Sequence, residues 1–183
     1  MPQVRKHLEH GFGPCFDRNS RVLILGSFPS VLSREQGFFY GHPRNRFWSV
    51  LSAVCGERAP DDVPGRQAYL HRHGIALYDV IESCSIIGSS DSSISDVVLA
   101  DLQPILDGSS IGGRIFTNGV KASSLYRKHL EPLLSLPATP LPSTSPANAA
   151  CSLDALIAAW TPPLRAALSE SESRPDDEQT VSL

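Results

Sequence analysis

Arg21-Val-Leu-Ile-Leu25 is a short apolar run, uninterrupted from Val22 to Leu25 and closed by Gly26. Because no polar residue alternates into it, the run suits a strand buried on both faces, as in a parallel sheet covered by helices on each side. Short runs of the same kind recur at Ile75 to Ile81, at Gly113 to Thr117, and in a proline-interrupted stretch from Leu136 to Leu141. Helical spacing lies between them, at Phe47, Val50, Leu51 and Val54, at Arg66 to His73, at Asp96 to Leu106 and at Val120 to His129. Pro104 warns of a kink in the third of these. Ser152 can cap a last helix whose apolar face is Leu153, Leu156, Ile157 and Trp160. Strand and helix in alternation predict an α/β fold, a three-layer α/β/α sandwich around a mainly parallel four-stranded sheet.

Ligands of such sheets bind beyond the carboxyl ends of the strands. The loops expected there are Gly26-Ser-Phe-Pro-Ser30, the serine-rich stretch Ser83 to Ser93, Asn118-Gly119, and Leu141-Pro-Ser-Thr-Ser-Pro-Ala-Asn148. The 183 residues suit one compact domain, residues 1–168, followed by an acidic tail, 169–183, expected to be disordered. That tail carries five acids and one base, so the net charge of -3 leaves the body at +1. Such a body is neither a polybasic arm nor an acidic protein, and any phosphate contact must come from local groups. Cys15, Cys55, Cys84 and Cys151 form no Cys-x-x-Cys pair, so neither a zinc knuckle nor an iron-sulfur cluster is expected, and no metal or other cofactor is assigned. No stretch reaches the roughly 20 apolar residues of a membrane span and no signal-peptide pattern opens the chain. The reading is an intracellular, cytoplasmic, soluble protein acting as a monomer.

Four motifs follow one another along the chain: Gly26-Ser-Phe-Pro-Ser30, the block Tyr40-Gly-His-Pro-Arg-Asn-Arg-Phe-Trp48, Phe116-Thr-Asn-Gly119 and Leu141-Pro-Ser-Thr-Ser-Pro146. In this order they resemble the uracil-DNA glycosylase superfamily. Their combination looks like the hypoxanthine-DNA glycosylase branch, with the mismatch-specific uracil glycosylases as cousins. The resemblance implies a DNA partner containing deaminated bases and a monofunctional N-glycosyl hydrolase that flips hypoxanthine, and also uracil or xanthine, out of the duplex and leaves an abasic site. Two departures stand out. Phe28 occupies the first-loop position where the cousins carry an Asn, and Leu141 occupies the position of a catalytic His in the classical branch.

These gaps leave Asn45 as the catalytic side chain that the resemblance implies, an amide orienting water and setting its carbonyl dipole toward the developing positive sugar. A helix cap ahead of Arg46 to Val50 is its structural alternative. Backbone N–H groups of Ser27 and Phe28 are expected to receive the departing base, Tyr40 to stack on it and Asn118 to read it. Uracil and hypoxanthine each present a lactam, a ring N–H beside a carbonyl, which one amide can complement if neighbours stop it flipping. Ser143 and Ser145 are expected on phosphates, Thr144 or Pro146 near the vacated stack, and Arg44, Arg46, Lys121 and Lys128 as further phosphate partners. Phe47 and Trp48 read as core. With no lysine in the motifs, no Schiff-base lyase step is expected. A uracil or mismatch glycosylase and a non-catalytic nucleic-acid-binding module on the same fold stay open beside this reading. A serine hydrolase would need a Gly-x-Ser-x-Gly elbow, and the sequence has none.

Overall fold

The computed structural model describes residues 3–87 and 91–170. In chain order the elements are β1 (Arg5–Glu9), β2 (Val22–Gly26), α1 (Val31–Gln36), α2 (Phe47–Cys55), α3 (Val63–His73), β3 (Ile75–Asp79) and β4 (Ile81–Ile87). They continue with a 3-10 turn (Asp91–Ser93), β5 (Ser95–Leu99), α4 (Gln103–Asp107), β6 (Ile115–Asn118), α5 (Val120–Leu125), a π-helical turn (Tyr126–Leu130), α6 (Glu131–Leu134), β7 (Ala138–Leu141) and α7 (Leu153–Ser169).

The central sheet has the order β3-β2-β6-β7 and every pairing is parallel. Its middle strand β2 is buried along its whole length, which explains why its sequence is apolar without alternation. Helices flank this sheet. α7 packs on α2 and β2, α3 on β3, and α5 on β6. Ser152 caps α7 as expected, its hydroxyl accepting the Ala155 N–H, and Leu156 and Trp160 lie fully buried. The helix runs through Pro162 and Pro163 to Ser169, and the tail read beyond residue 168 falls from residue 171 outside the described residues. Among the described residues no helix is long and apolar enough to cross a membrane.

A second sheet, β1-β4-β5, is antiparallel and was not legible in the pattern. Two expectations change with it. The stretch Asp96 to Leu106 is not one helix. Ser95–Leu99 is a strand with alternating exposure, and the helix begins only at Gln103, because Pro104 fits a first turn but not a helix interior. The stretch Ser83 to Ser93 is not a polar loop throughout, since Ser83 and Ser85 lie buried in β4 and residues 88–90 are outside the described part. Pairing with both neighbours lets a serine-containing strand run inside the molecule.

Only Val80 separates β3 from β4, and there the chain passes from one sheet to the other. Val80 N–H donates to Gly26 O (2.9 Å) and Ile81 N–H to Ser27 O (3.0 Å), which stitches the first loop to this bend. Trp160 performs a similar service on the far side, its indole N–H donating to Pro142 O (2.9 Å) at the start of the late loop. Trp160→Ala should lower unfolding free energy by about 3–5 kcal/mol through the cavity and the lost bond. Urea denaturation measures it; a loss below about 1 kcal/mol would remove Trp160 from that role.

Candidate active site

The carboxyl ends of the parallel strands open into a cavity of about 390 Å³. Its walls come from the first loop (Gly26 to Ser30), Asp79 at the end of β3, Asn118 at the end of β6, Ser143 to Pro146 after β7, and Tyr40, His42 and Asn45 from the block before α2. The expected loops therefore do meet at one rim, and the Ser83 to Ser93 stretch reaches it through Ile86 of β4. The volume accommodates one nucleobase.

The block Tyr40 to Trp48 holds itself and its neighbours in place. Tyr40 sits at φ 53°, a left-handed backbone that a bulky residue adopts only when its surroundings enforce it. Here Trp48 Nε1–H donates to Tyr40 O (3.2 Å), and the Tyr40 ring stacks on Phe47 with centroids 3.9 Å apart at 17°. One face of Tyr40 is thus covered by the core, and the ring is half-buried rather than an exposed platform. Its hydroxyl points toward Asn118, whose Nδ2 donates to it (3.2 Å). Burial first, then the nearby charge of Asp79, push the Tyr40 phenol well above its ordinary range, against the opposing effect of the Asn118 bond. It stays neutral.

Arg46, expected on phosphate, is instead committed to the protein. Its guanidinium donates to Ser145 O and Asn148 O (both 3.0 Å) and to Cys151 O, while its own N–H donates to Thr144 O (3.1 Å). Three carbonyls of one loop on one planar fork fix that loop against α2. Arg44 is exposed, and Lys121 and Lys128 do not line the cavity.

Thr144 departs furthest from its assignment. It is fully buried, so it cannot reach a phosphate or a vacated base stack. Its N–H donates to Asn118 Oδ1 (3.0 Å), and its Oγ1 accepts from Asn118 Nδ2 (3.0 Å) and donates to Asn45 Oδ1 (2.9 Å). A backbone N–H can only donate, so this pattern fixes which end of the Asn118 amide is oxygen. The flip-proof Asn118 that lactam reading requires is present. Both of its Nδ2 hydrogens are, however, already given to Tyr40 and Thr144, and one oxygen lone pair is left for a ligand.

Asn45 obeys the same logic. Its Oδ1 accepts from Phe47 N–H (3.0 Å), which is the capping role read as its alternative, and from Thr144. Both lone pairs are occupied. The group that Asn45 turns outward is Nδ2, which makes no hydrogen bond to the described residues, so the side chain offers the cavity a donor and not the carbonyl. Ser143 and Ser145 line the mouth, their oxygens accepting the N–H groups of Ser145 (3.1 Å) and Ala147 (3.2 Å), which leaves their hydroxyl hydrogens available for phosphate oxygens. Phe28 lines the wall as a half-buried ring beside Ser27.

Two residues escaped the sequence reading. Asp79 lines the cavity while almost wholly buried, and His10 behind it is 1% exposed, with Nε2 and Asp79 Oδ2 2.7 Å apart. The signal was an acid inside the apolar run Ile75 to Ile81, since carboxylates are seldom buried unpaired. Gly26 is tied to the same place, because a β-carbon on it would stand 2.3 Å from Asp79 Oδ1 and 3.1 Å from the Tyr40 hydroxyl. Only glycine fits under them.

No family model matches the chain. Among curated proteins it is 34% identical over 145 residues to the hypoxanthine DNA glycosylase of Methanosarcina acetivorans, spanning 77% of this chain and 89% of that protein. It is 35% identical over 105 residues to the hypoxanthine DNA glycosylase of Methanosarcina barkeri, spanning 54% of this chain and 66% of that protein. The fold superposes on the solution structure of a candidate uracil DNA glycosylase from Methanosarcina acetivorans with a TM-score of 0.68 and 28% identity, covering 90% of this chain and 96% of that one. Sequence likeness across most of one relative, and a shared fold across nearly the whole of another, lead to one assignment: the chain belongs to the hypoxanthine-DNA glycosylase family of the uracil-DNA glycosylase superfamily.

Proposed function

We propose that this protein removes deaminated bases, hypoxanthine foremost, from DNA by hydrolysing the N-glycosidic bond and leaving an abasic site. The observation that carries the proposal is the pair of amides, Asn45 and Asn118, held on the single hydroxyl of Thr144 in the wall of a cavity of about 390 Å³. A binding module would not need two amides locked in this way around a nucleobase-sized space.

The flipped base enters beside Phe28, whose ring offers an aromatic face. Its glycosidic bond breaks toward an oxocarbenium-like sugar and a base anion; a water molecule then adds its oxygen to C1′ of the sugar and gives up a proton that neutralises the base, leaving free base and an abasic site. The Asn45 Nδ2 hydrogens stabilise the anion as charge develops, and the Ser27 and Phe28 N–H groups add to them. Asn45 thus acts on the leaving group through its donor end, a revision of the water-orienting role. Asn118 contributes its remaining oxygen lone pair to base recognition, while Ser143 and Ser145 donate to backbone phosphates at the mouth and Lys121 adds positive charge outside it. No lysine lines the cavity among the described residues, in keeping with a monofunctional hydrolase.

Duplexes bearing hypoxanthine, uracil or xanthine, treated with alkali after incubation, test the activity. Strand scission is expected at hypoxanthine, and none at any of the three would sink the proposal. Asn45→Ala should lower single-turnover cleavage about 100-fold or more while DNA affinity changes by only a few fold; equal losses would contradict its place in the reaction. Thr144→Val keeps the volume and removes the shared hydroxyl, so cleavage should fall about 10-fold, with Thr144→Ser restoring most of it. Full activity in Thr144→Val would show that the two amides stand without it.

A further inference from the structure

The cavity's inventory of donors and acceptors is unbalanced. Asn45 offers only Nδ2, Asn118 has spent both amide hydrogens and one lone pair, and the Tyr40 hydroxyl, which accepts from Asn118, keeps its own hydrogen as a further donor. The strongest acceptor left in the wall is Asp79. Its Oδ2 is taken by His10, whereas Oδ1 has no hydrogen-bond donor among the described residues and stands over Gly26 beside the Tyr40 hydroxyl.

His10 determines how that carboxylate is presented. The imidazole lies 1% exposed among Phe12, Phe28, Phe39 and Tyr78, with ring centroids 4.5–6.4 Å apart within the group, so it has no room to turn away. Its Nδ1 is buried without a partner. With the hydrogen on Nε2, the unpartnered atom is a bare lone pair; with the hydrogen on Nδ1, the site would hold an orphaned N–H donor, the costlier arrangement. His10 therefore donates to Asp79 Oδ2, and Asp79 is held as an acceptor toward the cavity.

We propose that Asp79, oriented by His10, is a specificity-determining residue that recognises deamination by accepting the ring N–H of the lactam. Deamination of adenine to hypoxanthine, or of cytosine to uracil, turns a ring nitrogen from a lone pair into an N–H. A carboxylate welcomes the N–H and repels the lone pair, so one acceptor separates hypoxanthine from adenine and uracil from cytosine. Guanine and thymine also carry a ring N–H, and their refusal falls to the space around the 2-amino group of the one and the 5-methyl group of the other. Accepting from the base does not help it leave as an anion, so Asp79 contributes to recognition more than to rate. Asp79 is the selector, and His10 is the positioning residue behind it. The assignment rests on the glycosylase reading above.

Duplexes carrying 2′-fluoro-2′-deoxyinosine or 2′-fluoro-2′-deoxyadenosine, which resist cleavage, isolate recognition. Wild-type protein should bind the inosine duplex more tightly. In Asp79→Asn, His10 holds the amide oxygen and turns the NH2 to the cavity, a donor suited to the adenine lone pair. The inosine preference should shrink by about 10- to 100-fold or invert. His10→Phe should reduce it in the same direction, with thermal melting confirming a folded chain. An unchanged preference in a folded Asp79→Asn protein overturns the assignment. A second arm needs no variant: wild-type protein should cleave hypoxanthine far faster than 1-methylhypoxanthine, in which a methyl replaces the ring hydrogen, and comparable rates would overturn the proposal. Failure of wild-type protein to cleave hypoxanthine at all would instead strike the glycosylase reading.

Discussion

The hydroxyl of Thr144 is the point on which the site depends. It donates to one amide and accepts from another, and the same residue's N–H and C=O are tied to Asn118 and Arg46. Every polar atom of Thr144 is satisfied inside the protein, in a buried setting where an unmade bond would be costly and a made one is strong. The consequence is rotational: neither Asn45 nor Asn118 can exchange its oxygen and nitrogen ends without setting a donor against a donor. Selectivity by amides demands that property.

The bracing around Thr144 is supplied by residues that do not line the cavity. Arg46 gathers carbonyls of the late loop, Trp160 holds Pro142, and Gly119 N–H donates to Leu141 O (2.9 Å) where β6 turns into α5. The late loop, rich in proline and serine, would pass for a linker by composition, yet side chains from the block before α2 and from α7, and backbone from the β6 turn, pin it at several places. A loop so held can carry Ser143 and Ser145 at a constant distance from the mouth, which a mobile connection could not.

The left-handed backbone at Tyr40 shows how tightly the block is determined. A tyrosine at φ 53° stores strain, and the packing of Phe47 beneath its ring and the Trp48 indole on its carbonyl supply the compensation. Phe47 and Trp48 are core, as their apolar spacing implies, but they are also the reason that the Tyr40 hydroxyl and the Asn118 amide meet. Core packing and site geometry are one arrangement here.

The amino-acid sequence by itself determined the parallel sheet, the helices beside it and the rim where the loops gather, because burial on both faces writes a continuous apolar run and helix packing writes a 3.6-residue period. It also marked Asn45, Asn118 and the late loop through their motifs. It did not reveal the second sheet, whose strand Ser95–Leu99 alternates too briefly and whose β4 contains buried serines that resemble a loop. Nor could it say which end of each amide faces the cavity, that Thr144 is interior, that Arg46 is occupied, or that His10 reaches Asp79 across 69 positions of sequence. Those are consequences of hydrogen-bond valence summed over partners distant in the chain. Local pattern carries no record of such partners, and only the tertiary structure brings them within hydrogen-bond reach of one another.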